Sequence, residues 1–406
     1  MRIQGNNMVR VKKANKQAVL NLLLYEGGLS RKKLASKLQL TPSAITILVN
    51  EMITDHILEE AKVIDGEKTA GRKEIMVDID ERYFYALGIS INLDEIMISA
   101  TTLKGRLLWQ QARPFESGKT AQALVEYTLN WLNEEVKTQR MDISMAVGLG
   151  VTVRGWIDSE SGISIDSFGL WDEKNIPLKE MFKEKISLPV FIENNVRGLA
   201  NAQMFLSGDG SQESILFIRG SIGIGSAFII RKQLYTGYMH NAMELGHIMV
   251  EADGELCRCG RQGCLETVAS NRSVERHALS MYDERVTPIL YKMTQGNIQN
   301  MTLPVILQAA EKGDKTIRVY VDRALNKLAG VMRTAFYILD PQSVVLYGQA
   351  FENPYYYQTL YQNIFFDDSF SHLKTNMRKS EFNMELERCC APLIAIKRFF
   401  DSGLKT

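Results

Sequence analysis

The sequence has little cysteine, little net charge and no long apolar run. Five cysteines in 406 residues are too few for a disulfide framework. No stretch approaches the ~18–20 consecutive apolar residues that a membrane span needs. The N-terminus opens polar and basic, without an apolar core or a small-residue cleavage site. No signal peptide is read there, and a cytoplasmic location is expected. Formal net charge is only +1, with 45% hydrophobic and 23% charged residues, the composition of an ordinary globular protein. The length calls for two or three domains.

Acidic residues are nearly missing from one end. Residues 1–50 hold nine lysines or arginines and a single acid, Glu26, for a net of +8. The remainder therefore carries −7. A basic end on a nearly neutral chain implies a polyanionic partner for that end.

The same end has helical periodicity. Val11, Ala14, Ala18, Leu22 and Tyr25 recur at helical spacing up to Glu26, and Gly27-Gly28 stops the run. Ser30 is a suitable N-cap for a short helix, Arg31 to Leu38, and Gln39-Leu40 makes a turn. Thr41 caps a third helix with Pro42 at its first position, where a missing N–H costs nothing. That helix runs roughly to Asp55 and buries Ile45, Leu48, Val49 and Met52. Helix, short helix, tight turn, helix is the helix-turn-helix layout, in which the start of the last helix reaches base edges. Thr41, Ser43, Thr46 and Asn50 are the candidate readers, and Arg31, Lys32 and Lys33 the candidate phosphate contacts. Two alternating segments follow, Ile57 to Ile64 and Glu74 to Ile79. The link between them contains Gly71-Arg72-Lys73. It reads either as a wing whose Arg72 and Lys73 meet the minor groove, or as a solvated turn.

From Tyr83 the pattern becomes α/β. Strands are expected at 85–91, 95–101, 107–109 and 144–150, with a helix near 120–138. Further on, Glu244-Leu245-Gly246-His247 precedes Cys257-Arg258-Cys259-Gly260-Arg261-Gln262-Gly263-Cys264-Leu265-Glu266. This pair of elements resembles the signature of the ROK family (repressor, open reading frame, kinase). The resemblance extends from about residue 83 to the C-terminus, and the N-terminal part is similar to the family's sugar-responsive regulator branch. It implies an N-terminal winged helix-turn-helix on a two-lobed, actin-like α/β domain of the sugar-kinase type. The expected limits are 1–80 for the DNA-binding domain, 81–193 for the first lobe and 194–387 for the second. A C-terminal helix near 388–406 would complete the first lobe, with Leu393, Ile396 and Phe400 on one face.

The cysteine cluster has its own chemistry. Three thiolates and one imidazole, from Cys257, Cys259, Cys264 and His247, suit one tetrahedral zinc ion per chain. No ligand position remains for an activated water, so the zinc reads as structural. Cys389 and Cys390 read as packing residues.

The resemblance also implies where kinase chemistry would sit. Family kinases begin their first phosphate loop with D-x-G-G-T, and the matching stretch here, Ser90-Ile91-Asn92-Leu93-Asp94, has no glycine. Without glycine the backbone N–H groups cannot approach phosphate. The run Gly220 to Ser226 is either a remnant of the second phosphate loop or a turn between packed strands. Asn195 stands at the position of the general base, and an amide cannot take a proton near neutral pH. The expected protein is therefore not an enzyme. The sugar-contact candidates implied by the family are Asn194, Asn195, Glu244, His247 and Glu266. Arg154 reads as a phosphate contact or a surface charge. The resulting expectation is a repressor of carbohydrate genes, a homodimer or tetramer on operator DNA, released by a sugar or sugar phosphate. Two alternatives stay open: a sugar kinase fused to a DNA-binding domain, and a regulator controlled by a protein partner.

Overall fold

The structure is a computed structural model, and it describes residues 8–61, 74–115, 120–207, 214–382 and 385–402. They form two compact units, one of residues 1–211 with 385–406 and the other of residues 212–384.

The first unit opens with α1 (Met8–Glu26), β1 (Leu29–Ser30), α2 (Arg31–Leu38), α3 (Pro42–Thr54), β2 (Leu58–Ala61) and β3 (Met76–Ile79). Gly27, at φ +75°, ends α1 in a conformation that glycine adopts without strain. The Ser30 hydroxyl accepts the Lys33 N–H at 3.3 Å, and the Thr41 hydroxyl accepts the Ala44 N–H at 3.2 Å, so α2 and α3 are both capped. Gln39 closes α2 in the left-handed region. Val19, Leu20, Leu23, Leu34, Ile45, Val49 and Met52 are fully buried among the three helices. A three-stranded antiparallel sheet, in the order β1-β3-β2, lies beside them. Strand β1 is only two residues long, too short to leave an alternation in the sequence. Arg72 and Lys73, with the rest of the link at 62–73, lie outside the described residues.

The chain continues through β4 (Tyr85–Ile91), β5 (Glu95–Thr102), β6 (Leu107–Pro114), α4 (Ala121–Thr138), β7 (Ala146–Val153), β8 (Trp156–Asp158), β9 (Ile163–Asp166), α5 (Leu178–Lys183), β10 (Val190–Asn194) and α6 (Asn195–Leu206). The sheet order is β10-β7-β4-β5-β6, with β4, β7 and β10 parallel and the remaining pairs antiparallel. Strands β4 and β7 are buried along their whole length, as a sheet covered on both faces requires.

The second unit holds β11 (Ser214–Gly220), β12 (Ile224–Ile230), β13 (Gln233–Leu234), α7 (Leu265–Ala269), α8 (Asn271–Ser280), α9 (Pro288–Met293), α10 (Leu303–Glu311), α11 (Lys315–Leu339), β14 (Ser343–Tyr347), α12 (Pro354–Ile364) and β15 (Met377–Lys379). Its sheet order is β13-β12-β11-β14-β15.

Helix α13 (Glu385–Ser402) returns to the first unit and packs on β4, β5, β7 and α6. Two glycines make that approach possible. Gly88 of β4 and Gly150 of β7 are partners in register. A Cβ on Gly88 would lie 2.2 Å from Cδ of Pro392, and one on Gly150 would lie 1.9 Å from the carbonyl oxygen of Ala391. The other end of α13 meets the N-terminal helices, where the Gln17 amide donates to the carbonyl of Asp401. A run of rings, His56, Tyr83, Phe84 and Phe399, joins the end of α3 to α13, with successive centroids 4.1, 4.9 and 6.2 Å apart.

The break between units differs from the expected one at 193/194. It falls after residue 211, and residues 1–80 group with the first unit. The reason is packing: α6 lies against α13 and β7, with Gly198 close to the Thr152 methyl, so the chain leaves this unit only after α6 ends.

Candidate nucleic-acid interface, metal centre and ligand site

Thr41, Ser43, Thr46 and Asn50 are all exposed on α3 or at its start. Several are already hydrogen-bonded within the protein. Thr41 is the N-cap, and the Thr46 hydroxyl donates to the Pro42 carbonyl at 2.8 Å. Arg31 donates to Asn50 Oδ1 at 3.1 Å and to the Glu60 carboxylate at 2.9 Å. Lys12 pairs with Glu51 at 2.7 Å, and this pairing lowers the Glu51 carboxyl below its usual range. This exposed ion pair links α1 to α3. Lys32 and Lys33 are exposed at the first turn of α2.

In the second unit, the ligand atoms of His247, Cys257, Cys259 and Cys264 lie within 4.8 Å of one another. His247, Cys257 and Cys264 are buried and Cys259 is half-buried. His247 Nδ1 is 3.5 Å from Cys257 Sγ, and Cys259 Sγ is 3.7 Å from Cys264 Sγ. A tetrahedral ion ~2.3 Å from sulfur and ~2.0 Å from nitrogen sets edges of ~3.8 Å between sulfurs and ~3.5 Å between sulfur and nitrogen. The two closest of these separations match such edges, and the donor set as a whole could hold such an ion. The loop is folded for it by two turns. Leu256 bridges to Gln262 and Met249 to Cys264. Gly263, at φ +70°, passes so close to Glu251 that a Cβ would lie 1.6 Å from its carbonyl oxygen. Burial pushes the Cys264 thiol up to about 12 and also raises Cys257. Burial acts upward on Cys259 too, but hydrogen bonds from the Arg261 backbone and side chain and from the Cys257 and Cys264 thiols together lower it. A coordinated cation supplies the charge that lets buried thiols ionise together.

The five residues expected to contact sugar divide between the units. Asn194 and Asn195 belong to the first, and Glu244, His247 and Glu266 to the second. The Asn194 side chain is engaged structurally. Its oxygen accepts the N–H groups of Val196 and Arg197 at 2.8 and 3.1 Å, and its amide donates to the Gly155 carbonyl at 2.7 Å. It is the N-cap of α6. Asn195 donates to Asn92 Oδ1 at 3.3 Å. In the second unit, the Glu266 carboxylate accepts the Ile224 N–H at 3.2 Å. Gly246, between Glu244 and His247, also approaches Ile224, where a Cβ would lie 2.1 Å from its carbonyl oxygen. The glycine-rich run 220–226 is thus the turn from β11 to β12, and a carboxylate already occupies one of its N–H donors.

A family model described as ROK family matches residues 86–377. The chain belongs to the ROK family. It is 27% identical over 353 residues to the N-acetylglucosamine repressor of Shigella flexneri, covering 86% of this chain and 84% of that protein. Among solved structures it resembles a ROK family transcriptional regulator, a homologue of the E. coli MLC protein, with a TM-score of 0.77 and 21% identity. That likeness covers 97% of this chain and 98% of the other. It also resembles a ROK family glucokinase from Streptomyces griseus, with a TM-score of 0.64 and 20% identity, over 77% of this chain and 99% of that one. At these identities the solved structures establish the fold, the actin-like sugar-kinase fold of ROK proteins. Among the described residues no helix is long and apolar enough to cross a membrane.

One buried feature of this ROK chain escaped sequence reasoning. Glu193, next to the Asn194 cap, accepts Arg197 Nε at 2.6 Å and the Ser159 hydroxyl at 2.7 Å. The two charged side chains are only 8% and 6% exposed. Glu193 lies in β10 and Arg197 in α6, and Arg197 also donates to the Ile157 carbonyl of β8 at 2.6 Å, a long-range arrangement that local spacing does not reveal.

Proposed function

We propose that this ROK protein is a DNA-binding transcriptional repressor of carbohydrate uptake or metabolism genes, controlled by a sugar or sugar-phosphate effector. The N-terminal helices and three-stranded sheet act as a winged helix-turn-helix, with α3 in the major groove and Arg31, Thr41, Ser43, Thr46 and Asn50 facing DNA. Arg72 and Lys73, outside the described residues, are further candidate DNA contacts from the sequence. The single observation that carries the reading is the pairing of Asn195 with Asn92 in a chain whose N-terminal fifty residues carry a net charge of +8. The position of the kinase base is an amide bonded to a second amide in a loop without glycine, which suits ligand binding and not phosphoryl transfer.

The Cys3His cluster holds one structural zinc ion through His247, Cys257, Cys259 and Cys264. Zinc would neutralise the buried thiolates and fix the loop that leads into Glu266. The candidate effector contacts are Asn195 in the first unit and, separately, Glu244, His247 and Glu266 in the second, with Asn194 acting chiefly as the helix cap. A two-fold dimer would place two α3 helices on successive half-sites.

Within the first unit, α13 is the connection that a switch would use. It packs against α6, which begins at Asn195, and reaches Gln17 and the His56–Phe399 run of rings at the N-terminal helices. An effector works only through different affinity for the two states of such an element. The test is binding of the full-length protein to duplexes from its own upstream region, with and without a panel of sugars and sugar phosphates.

A further inference from the structure

The residues on the open face of α3 are unequal in what they can still bind. Ser43, Thr46, Ile47 and Asn50 follow one another at spacings of three, one and three, so they form one stripe. All four are exposed, and Ile47 is 60% exposed. The polar members have partners inside the protein. Thr46 is bonded to the Pro42 carbonyl, Asn50 Oδ1 to Arg31, and the Ser43 hydroxyl lies 3.4 Å from that of Thr41. Ile47, in the middle of the stripe, is not part of the buried core formed by Ile45, Leu48, Val49 and Met52 on the same helix.

A lone exposed isoleucine needs no explanation. This one sits at the centre of a helix face in the N-terminal region that holds the chain's excess positive charge, including the exposed Lys32 and Lys33 of α2. In the major groove the apolar mark is the thymine C5-methyl group, which G·C pairs lack and whose position separates T·A from A·T. We infer that Ile47 is a specificity-determining residue that reads a thymine methyl group in each half-site of the operator. This rests on the DNA-binding reading given above. Arg31 has a positioning role beside it: by holding Asn50 Oδ1 it leaves the amide N–H groups of Asn50 to donate to a base acceptor. Hydrogen-bond readout and methyl readout then fall on neighbouring base pairs along one stripe.

The test uses the full-length protein and a duplex enriched from a random library by that protein at fixed salt. Each thymine is replaced in turn by uracil, which removes only the methyl group. Wild type should lose about three- to fivefold in affinity at one thymine per half-site, the effect of one methyl group withdrawn from an apolar contact. Ile47→Ala should bind the unmodified duplex more weakly by a similar factor and lose nothing further on that uracil. Its salt dependence should match wild type, because no phosphate contact is involved, whereas Lys32→Ala should lower the slope by about one unit. Thermal melts of Ile47→Ala should overlay wild type, since the side chain is not in the core. Equal uracil effects in wild type and Ile47→Ala at every thymine, or full affinity of Ile47→Ala, overturn the inference while leaving DNA binding intact. Enrichment of no duplex overturns both.

Discussion

Asn195 donates its side-chain amide to Oδ1 of Asn92 across 3.3 Å, linking the first residue of α6 to the loop that follows β4. In a sugar kinase of this fold the first position would hold a carboxylate and the second a glycine-rich loop. Here they satisfy each other. The protein is therefore expected to show no ATP-dependent phosphorylation of any sugar in a coupled assay. Asn195→Asp should also stay at background, because restoring the base does not restore a loop whose N–H groups reach phosphate. Turnover by wild type that disappears in Glu244→Ala would mean that the chain is a kinase.

Elemental analysis should find one zinc per chain. Cys264→Ser should reduce zinc affinity by more than about 100-fold, beyond the 10- to 100-fold typical of losing an outer-shell partner. The variant should also melt at lower temperature, since the metal energy is folding energy. A zinc-free protein with unchanged melting after chelation would remove the structural role.

Arg197→Met should destabilise the protein by about 3–5 kcal/mol, because it strands the Glu193 carboxylate in a site where the pair is 8% and 6% exposed. Adding Glu193→Gln should recover most of the loss. Urea unfolding of the wild type and the two variants measures it, and a cost near that of a surface pair, below about 1 kcal/mol, would contradict the burial.

His277 stacks on Tyr320 with ring centroids 3.7 Å apart. Burial lowers its proton affinity below the usual histidine value; Arg323 and Arg276 lower it further, and Glu255 opposes them. A histidine whose folded value lies below its unfolded one adds stability above the unfolded value, near 6.5. That stability is lost as pH falls through the folded value. Melting temperature should consequently fall between pH 7 and 5 more steeply in wild type than in His277→Phe, which keeps a ring against Tyr320. Parallel pH curves for the two would contradict this.

Much of the site was legible because its signals are local. The spacing of His247 with Cys257, Cys259 and Cys264 points to a cluster that could hold a metal, and the structure brings the four together; Ser30, Thr41 and Pro42 announce helix starts through chemistry confined to a few residues. What escaped depends on distant packing. Asn194 read as a ligand residue, and its role as the cap of α6 appears only once β10 has placed it there. Glu266 read likewise, and its bond to the Ile224 N–H joins segments about forty residues apart in the sequence. Ile47 falls outside the buried set of its helix in the sequence as in the structure, but an apolar residue off the core carries no local motif that marks a base contact. The unit boundary moved because α13, from the far end of the chain, covers α6.

The most direct test of the account is the affinity of the full-length protein for duplex DNA from its own upstream region, measured at fixed salt with and without sugars and sugar phosphates. Tight, sequence-specific binding that one such compound weakens is the predicted result. Absence of any specific binding would contradict the central claim.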